Sequence, residues 1–268
     1  MIRFRQYIPH TIAHLVKSIW YLQLVGEGQA YEEAIIPDGH HELIFYLDGG
    51  RSRRWARGWT EQPGALIASQ TLESYRLQMP AGAKLYGIRF YPHTLYPLLG
   101  VPLHLLGAAV LPLGELLAAR GFWDCIGEDV DETFRRLEAH LVTLFEHSGV
   151  GLPGYRYVEY SVRQMIATGG RVPIKTLIGK SGITAKYYDE LFKKYVGITP
   201  KCLGSILQFN TFIDYRNRFP AKTLTECAYE AGYYDQSHLI KASYQWAGAP
   251  PREYFSSAAE ISNLFAAL

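Results

Sequence analysis

The chain has 268 residues, with 27 Lys and Arg against 25 Asp and Glu for a net charge of +2, and 14% aromatic residues; this length suits two domains with separate cores, and the composition favours packing over disorder. Three cysteines, Cys125, Cys202 and Cys227, form no C-x-x-C pair, which argues against a disulfide framework and for packing roles in a reducing compartment. No segment approaches the ~18 apolar residues of a membrane span and Met1 to Arg5 lead into no apolar run, so a cytoplasmic protein with no membrane partner is expected.

From Ala34 to Tyr91, short apolar runs are broken by Gly, Pro and charged turns. Strands are predicted over Glu42–Leu47, Arg54–Trp59, Ala65–Ala68, Leu72–Met79 and Leu85–Tyr91. Alternation of Tyr75, Leu77 and Met79 turns one face inward and leaves Arg76 on the other. An antiparallel sandwich or small barrel follows. After Pro92 the pattern becomes helical, over Thr94–Leu99 and Leu113–Ala119. Val130, Phe134, Leu137, Leu141 and Leu144 then form a heptad-like stripe on a helix from about Asp129 to His147. The stripe fits equally well a helix packed on its own domain and a homodimer interface. Ser148 to Gly154 is the best linker, followed by a helix over Tyr157–Thr168.

Two helix-turn-helix patterns follow. In the first, a run with Ile174, Leu177 and Ile178 stops at Gly182, and Thr184 caps a helix with Tyr188, Leu191, Phe192 and Val196 on one face. That helix ends at Gly197. In the second, Thr223 and Glu226 form a T-x-x-E capping box ahead of Cys227 and Ala228, the helix stops at Gly232, and Asp235 caps a helix from Gln236 to Ala247. Between them, Thr199-Pro200 starts a connecting helix through Leu203, Ile206, Leu207, Phe209 and Ile213. Residues 1–150 carry a net charge of −3 and the remainder +5, the polarity expected of a phosphate-binding C-terminal module.

The segment from Ala228 to Leu239 (Ala-Tyr-Glu-Ala-Gly-Tyr-Tyr-Asp-Gln-Ser-His-Leu), with Gly248 and Pro251, resembles the second motif of AraC/XylS-type transcription regulators. Gly182-Ile183-Thr184, Leu191 to Lys194 and Gly197 to Lys201 resemble the first. The resemblance spans Tyr155 to Phe255. Ile35 to Phe45 more loosely resembles the cupin-like sensor domains that precede such modules. The fold class it implies is α+β: a β-rich sensor and oligomerisation domain over 1–150, then an all-α domain over 155–256 with two helix-turn-helix units joined by a linker helix. The function implied is sequence-specific binding of double-stranded DNA, controlled by a small-molecule effector or by dimerisation, with RNA polymerase as a further partner and activation as the outcome. No cofactor, metal or enzymatic activity is expected.

Residues expected to face base edges are Lys186, Asp189 and Glu190 on one recognition helix, and Gln236, Ser237 and Lys241 on the other. The chain departs from the family pattern at several places. Asp189 and Glu190 are acidic where polar or basic groups are usual. They repel phosphates but can accept from cytosine N4. Ser243 and Ala247 stand where phenylalanine is usually buried, with Tyr244 and Trp246 beside them, and Gln208 replaces a common linker arginine. These departures motivate an alternative: a degenerate helix-turn-helix scaffold that binds a protein partner. In the first domain Trp55, Arg57, Trp59, Arg76, Tyr86 and Arg89 are the candidate effector-binding residues, aromatic walls with cations for an anionic group.

Other chemistry finds little footing. Gly179-Lys180-Ser181 lacks the glycine a phosphate loop needs at position 174, which is Ile174. His40-His41-Glu42 suggests a metal site, but neighbours on a strand face opposite ways, and a surface or turn role is expected instead. No G-x-S-x-G or H-E-x-x-H motif occurs.

Overall fold

The computed structural model describes residues 1–26, 30–47, 51–55, 58–107, 110–117, 119–146, 148, 152–256 and 260–266. Its strands are β1 (Ile2–Tyr7), β2 (Val16–Leu24), β3 (Tyr31–Ile35), β4 (His41–Tyr46), β5 (Arg51–Trp55), β6 (Gly58–Gln62), β7 (Ala65–Ala68), β8 (Tyr75–Met79), β9 (Lys84–Phe90) and β10 (Val110–Pro112). They form a six-stranded sheet ordered β1-β2-β9-β4-β7-β10 and a four-stranded sheet ordered β3-β8-β5-β6. All described pairs are antiparallel.

The large sheet is buried on both faces, and side-chain alternation sorts its residues between two cores. Ile19, Tyr21, Leu43, Phe45, Tyr86, Ile88 and Phe90 belong to a core shared with helices, while Trp20, Leu22, Tyr46 and Leu85 turn toward the small sheet. In that register Trp20 lies opposite Gly87. A Cβ at Gly87 would stand 2.0 Å from the Trp20 ring, so only glycine lets the indole lie across β9.

The expected strand Arg54–Trp59 is corrected. It spans the end of β5 and the start of β6, two strands of a hairpin, with 56–57 outside the described residues. The strand expected from Leu72 begins only at Tyr75. Strands β1, β2, β3 and β10 are additions. The nine residues of β2 are buried almost throughout, which erases the alternation that marks a half-exposed strand.

After the short helix α1 (Tyr96–Leu99), 3-10 turns at Leu103–Leu106 and Leu113–Glu115 and helix α2 (Ala119–Trp123) lead to α3 (Val130–Glu146). The face of α3 that carries Phe134, Leu137 and Leu141 is buried in its own chain. Phe134 stacks on Tyr7 at 5.6 Å and meets the Tyr86 edge at 6.0 Å. Glu138 accepts from the Thr11 N–H at 2.8 Å and from the Tyr7 hydroxyl. Through Phe134, Leu137 and Leu141 the stripe covers the sheet of its own domain, the first of the two roles it suggested, while Val130 and Leu144 are only partly buried. Of the linker Ser148 to Gly154, residues 149–151 lie outside the described residues.

The remaining helices are α4 (Tyr155–Ala167), α5 (Ile174–Ser181), α6 (Ala185–Val196), α7 (Pro200–Arg218), α8 (Leu224–Glu230), α9 (Gln236–Ala247), α10 (Pro251–Ser256) and α11 (Glu260–Ala266). Helix α11 turns back onto the N-terminal sandwich, against β3 and α7. Among the described residues no helix is long and apolar enough to cross a membrane.

Candidate nucleic-acid interface

The two helix-turn-helix units are built by the local chemistry the sequence announces. Thr184 accepts from the Tyr187 N–H at 3.2 Å, Thr199 from Cys202 at 3.2 Å, and Asp235 from His238 at 2.7 Å. Thr223 and Glu226 form a reciprocal capping box. Each satisfies a backbone donor that the first helical turn leaves without a partner. Helices α5 and α6 stop at Gly182 and Gly197, and α9 at Gly248.

The apolar faces of α6 and α9 are buried through Tyr188, Leu191, Phe192, Tyr195 and Val196 on the first and Leu239, Ala242 and Trp246 on the second. Where phenylalanine is usual, Ser243 is fully buried and its hydroxyl donates to the Ala249 carbonyl at 2.6 Å. Trp246 fills the volume instead, and its Nε1–H reaches the Ser205 hydroxyl on α7 at 3.2 Å. Gln208 also binds α7 to the second unit, donating to the Ala231 carbonyl at 3.1 Å. These substitutions keep a packed unit.

All six expected base-facing residues, Lys186, Asp189, Glu190, Gln236, Ser237 and Lys241, are exposed on the faces opposite that packing. The Gln236 amide is drawn to the Thr225 hydroxyl on α8. Tyr234, at the entrance to α9, is 86% exposed, and Ile240 and Tyr244 are also exposed on α9. Sequence periodicity does not single these three out, because exposed aromatic and aliphatic residues read as part of the apolar face.

The first unit is clamped to the N-terminal sandwich. His41 Nε2 lies 3.1 Å from the Val196 carbonyl at the end of α6. The Tyr195 ring meets Tyr96 edge-on at 4.7 Å, and His104 Nδ1 lies 3.2 Å from the Lys193 carbonyl. Asn210 on α7 donates to the Pro37 carbonyl at 2.9 Å. A Cβ at Gly39, whose φ is +83°, would press on Leu203 at 2.9 Å. Burial drives the His41 pKa down to about 4, against the opposing pull of the Val196 carbonyl. The neutral ring therefore carries its proton on Nε2 and donates it across the interface. The surface or turn role expected for His40 and His41 is thus corrected: both are buried.

Behind that interface lies a pocket between the two sheets, walled by Trp20, Ile44, Tyr75, Leu77, Met79 and Leu85 and closed by Ile261, Ser262 and Phe265 of α11. A polar cluster lies at its inner end. Arg89 Nη1 donates to Glu42 at 2.9 Å and Nη2 binds Asp38. The Trp20 Nε1–H reaches the same Glu42 oxygen at 3.2 Å. His40 Nε2 lies 3.2 Å from Lys17 Nζ, and Nδ1 lies 3.1 Å from the Asp38 carbonyl. Burial, then Lys17 and Arg89, push the His40 pKa down to about 3. A neutral ring with the proton on Nδ1 fits both contacts. Burial raises Asp38, but Arg89 and His40 outweigh it and hold the carboxylate below its ordinary range. Burial raises Glu42 and prevails over Arg89.

Of the expected effector residues whose side chains are described, Trp59, Arg76, Tyr86 and Arg89, none lines this pocket. Tyr86 points to the opposite face of β9, into the α3 core, at 1% exposure. Arg76 faces solvent and pairs with Glu32, and Trp59 is exposed. Arg89 lies beside the pocket, but its charge is committed to Asp38 and Glu42. Arg57 and the side chain of Trp55 lie outside the described residues. The pocket residues Asp38, Glu42 and Asn210 carry no local sequence signal. Only the inward alternation of Tyr75, Leu77 and Met79 points to it.

In sequence, residues 177–257 match the helix-turn-helix domain family. The C-terminal domain is of the AraC type. It is a domain of transcription regulators. Residues 5–112 match a domain of unknown function, DUF6597. No curated protein matches the chain. Among solved structures, ToxT from Vibrio cholerae aligns over 85% of this chain and 97% of its own at 9% identity and a TM-score of 0.46. ToxT with a bound unsaturated fatty acid aligns over 88% and 95% at 10% identity and 0.44. The AraC-like transcriptional activator CuxR aligns over 72% and 80% at 19% identity and 0.28. At such values no residue or ligand carries over to this chain.

Proposed function

We propose that the chain is a cytoplasmic, sequence-specific DNA-binding regulator in which a sensing unit over 1–150 controls an AraC-type DNA-binding unit over 155–256. The observation that carries the reading is the pair of capped recognition helices, α6 and α9, buried on one face and exposed on the other. Lys186, Asp189 and Glu190 on α6, and Gln236, Ser237 and Lys241 on α9, are the side chains offered to base edges. Helix α7 follows directly on α6 and is tied to the second unit through Trp246 and Gln208, an arrangement that supports entry of both helices into successive turns of one major groove.

Effector control is supported by a continuous set of contacts. The loop from Ile36 to His40 walls the pocket and also carries the Pro37 carbonyl that holds Asn210 and the Gly39 that packs on Leu203. His41, the next residue, holds the end of α6. A molecule that displaces Asp38 or His40 therefore changes the hold on both α6 and α7. Contact with RNA polymerase would use surfaces that DNA leaves free.

The test is binding of the full chain to duplex DNA over a range of salt. A steep fall of affinity with salt and selection of particular sequences are expected. Salt-independent or absent DNA binding, with the protein folded, would leave a scaffold for a protein partner as the better account.

A further inference from the structure

The pocket is stoppered by the chain's own C-terminal helix. Phe265 inserts between Phe4, edge-on at 5.6 Å, and Trp20, at 5.2 Å, and the Arg89 guanidinium lies 4.6 Å from its ring centre. One turn earlier, the backbone N–H groups of Ile261 and Ser262 each donate at 2.7 Å to the carboxylate of Glu33 on β3. The Ser262 hydroxyl donates to the Ala34 carbonyl at 3.0 Å. Glu33 is 3% exposed, and besides these it holds only the Tyr31 hydroxyl among its described partners.

With α11 in place the free volume of the pocket is about 90 Å³. That is room for a few waters and well short of the ~300 Å³ of a small-molecule site. A ligand of that size enters only if Phe265 leaves. Whatever replaces α11 inherits two unmet demands: a buried carboxylate stripped of its donors, and an aromatic slot capped by a guanidinium. Among the described residues, Asp38 and Glu42 line this space and Glu33 lies behind Ile261 and Ser262, three carboxylates against the neighbouring cations Arg89 and Lys17. Among the described residues Arg89 is already paired with Asp38 and Glu42, and an anionic ligand would add a further negative charge to this cluster.

We propose that the site takes an arylalkylamine, whose ammonium replaces the α11 backbone donors on Glu33 and whose ring replaces Phe265, so that ligand and C-terminal helix exclude each other. The separation is set by the helix: donors at 261 and 262 and a ring at 265 lie about one turn, ~5 Å, apart. This spans a ring and an amine joined by a short chain. Release of α11 also breaks its contact with the linker helix, where Asn217 donates to Asn263 at 2.9 Å. The inference rests on effector control as proposed above and gives it a ligand class and a competitor.

The experiment is hydrogen exchange on the full chain, without DNA, in the presence of phenethylamine or of hydrocinnamate, a carboxylate with a comparable phenylalkyl body. Phenethylamine should increase exchange across residues 260–266 and protect β3 and β4, and hydrocinnamate should do neither. Phe265→Ala removes the competitor and should tighten phenethylamine binding about tenfold, and Glu33→Gln should weaken it by about tenfold. Unchanged exchange at 260–266 with the amine, or an equal response to the acid, would overturn the proposal whatever the DNA assay gives. If phenethylamine displaces α11 and DNA affinity stays constant, the site stands and effector control through it fails. The two probes act on the wild-type chain, so the result does not depend on either variant folding.

Discussion

Trp246 should be the strut that holds the second recognition helix to the first. Its side chain is 1% exposed and lies on α9 facing α7, with its one polar atom satisfied by Ser205. Trp246→Ala removes the indole from an enclosed site, and with incomplete collapse the transfer and cavity terms together cost ~3–5 kcal/mol. Trp246→Phe keeps most of the apolar volume and loses the Nε1–H contact, a loss of about 1 kcal/mol plus a modest repacking cost. Urea denaturation followed by circular dichroism measures both. The difference between the variants separates the packing from the hydrogen bond. DNA binding should weaken in Trp246→Ala even at temperatures where the protein stays folded, because α9 loses its fixed angle to α6. A Trp246→Ala protein within 1 kcal/mol of wild type would refute the packing account, since a site so enclosed has no cheap way to close.

Three further outcomes follow from the geometry. His40, His41 and His93 are buried, chiefly by desolvation, with pKa values lowered to about 3, 4 and 3. In the unfolded chain they protonate near 6.5, so the unfolded state binds more protons below that pH. Stability is then whole above ~6.5 and falls by roughly 1.4 kcal/mol per pH unit per histidine on acidification; a melting temperature constant from pH 7 to 5.5 would contradict their burial. Leu141→Glu puts a carboxylate into the sheet-facing side of α3, where Leu141 is fully buried, and should give unfolded or aggregated protein by sedimentation; a folded monomer would favour the interface reading of that stripe. Lys241→Ala should lower affinity by ~1–3 kcal/mol for sites that differ at one base pair, and a uniform loss over all sequences would make Lys241 a phosphate contact.

The helical half was legible because its signals are local. Thr184, Thr199, Thr223 and Asp235 cap helices that begin within a residue of them, and the stripe Tyr188, Leu191, Phe192 and Val196 is buried as its spacing predicts. The sandwich was legible only where one face is wet. In β8, Arg76 points out and Tyr75, Leu77 and Met79 point in, and alternation survives. In β2 both faces are covered, and apolar residues run together. The pocket was illegible for a different reason. Arg89 is neutralised by Asp38, 51 residues away, and Glu33 is satisfied by backbone donors 228 and 229 residues away. Such pairings have no periodicity, and only the folded chain brings them together. The candidate cations Arg76 and Arg89 illustrate the difference: residue type made them equivalent, and register sent one to solvent and buried the other against a half-buried carboxylate pair.

The most direct test of the account is a hydroxyl-radical footprint of the full chain on duplexes selected by it from a random pool. Two rigidly joined recognition helices predict two protected patches on one face of the DNA, separated by about one helical turn, ~10 bp, with Lys186→Ala and Lys241→Ala each relaxing sequence preference in a different patch. A single patch insensitive to α9 variants, or no selected sequence at all with the protein folded, would contradict the claim that both helices read DNA.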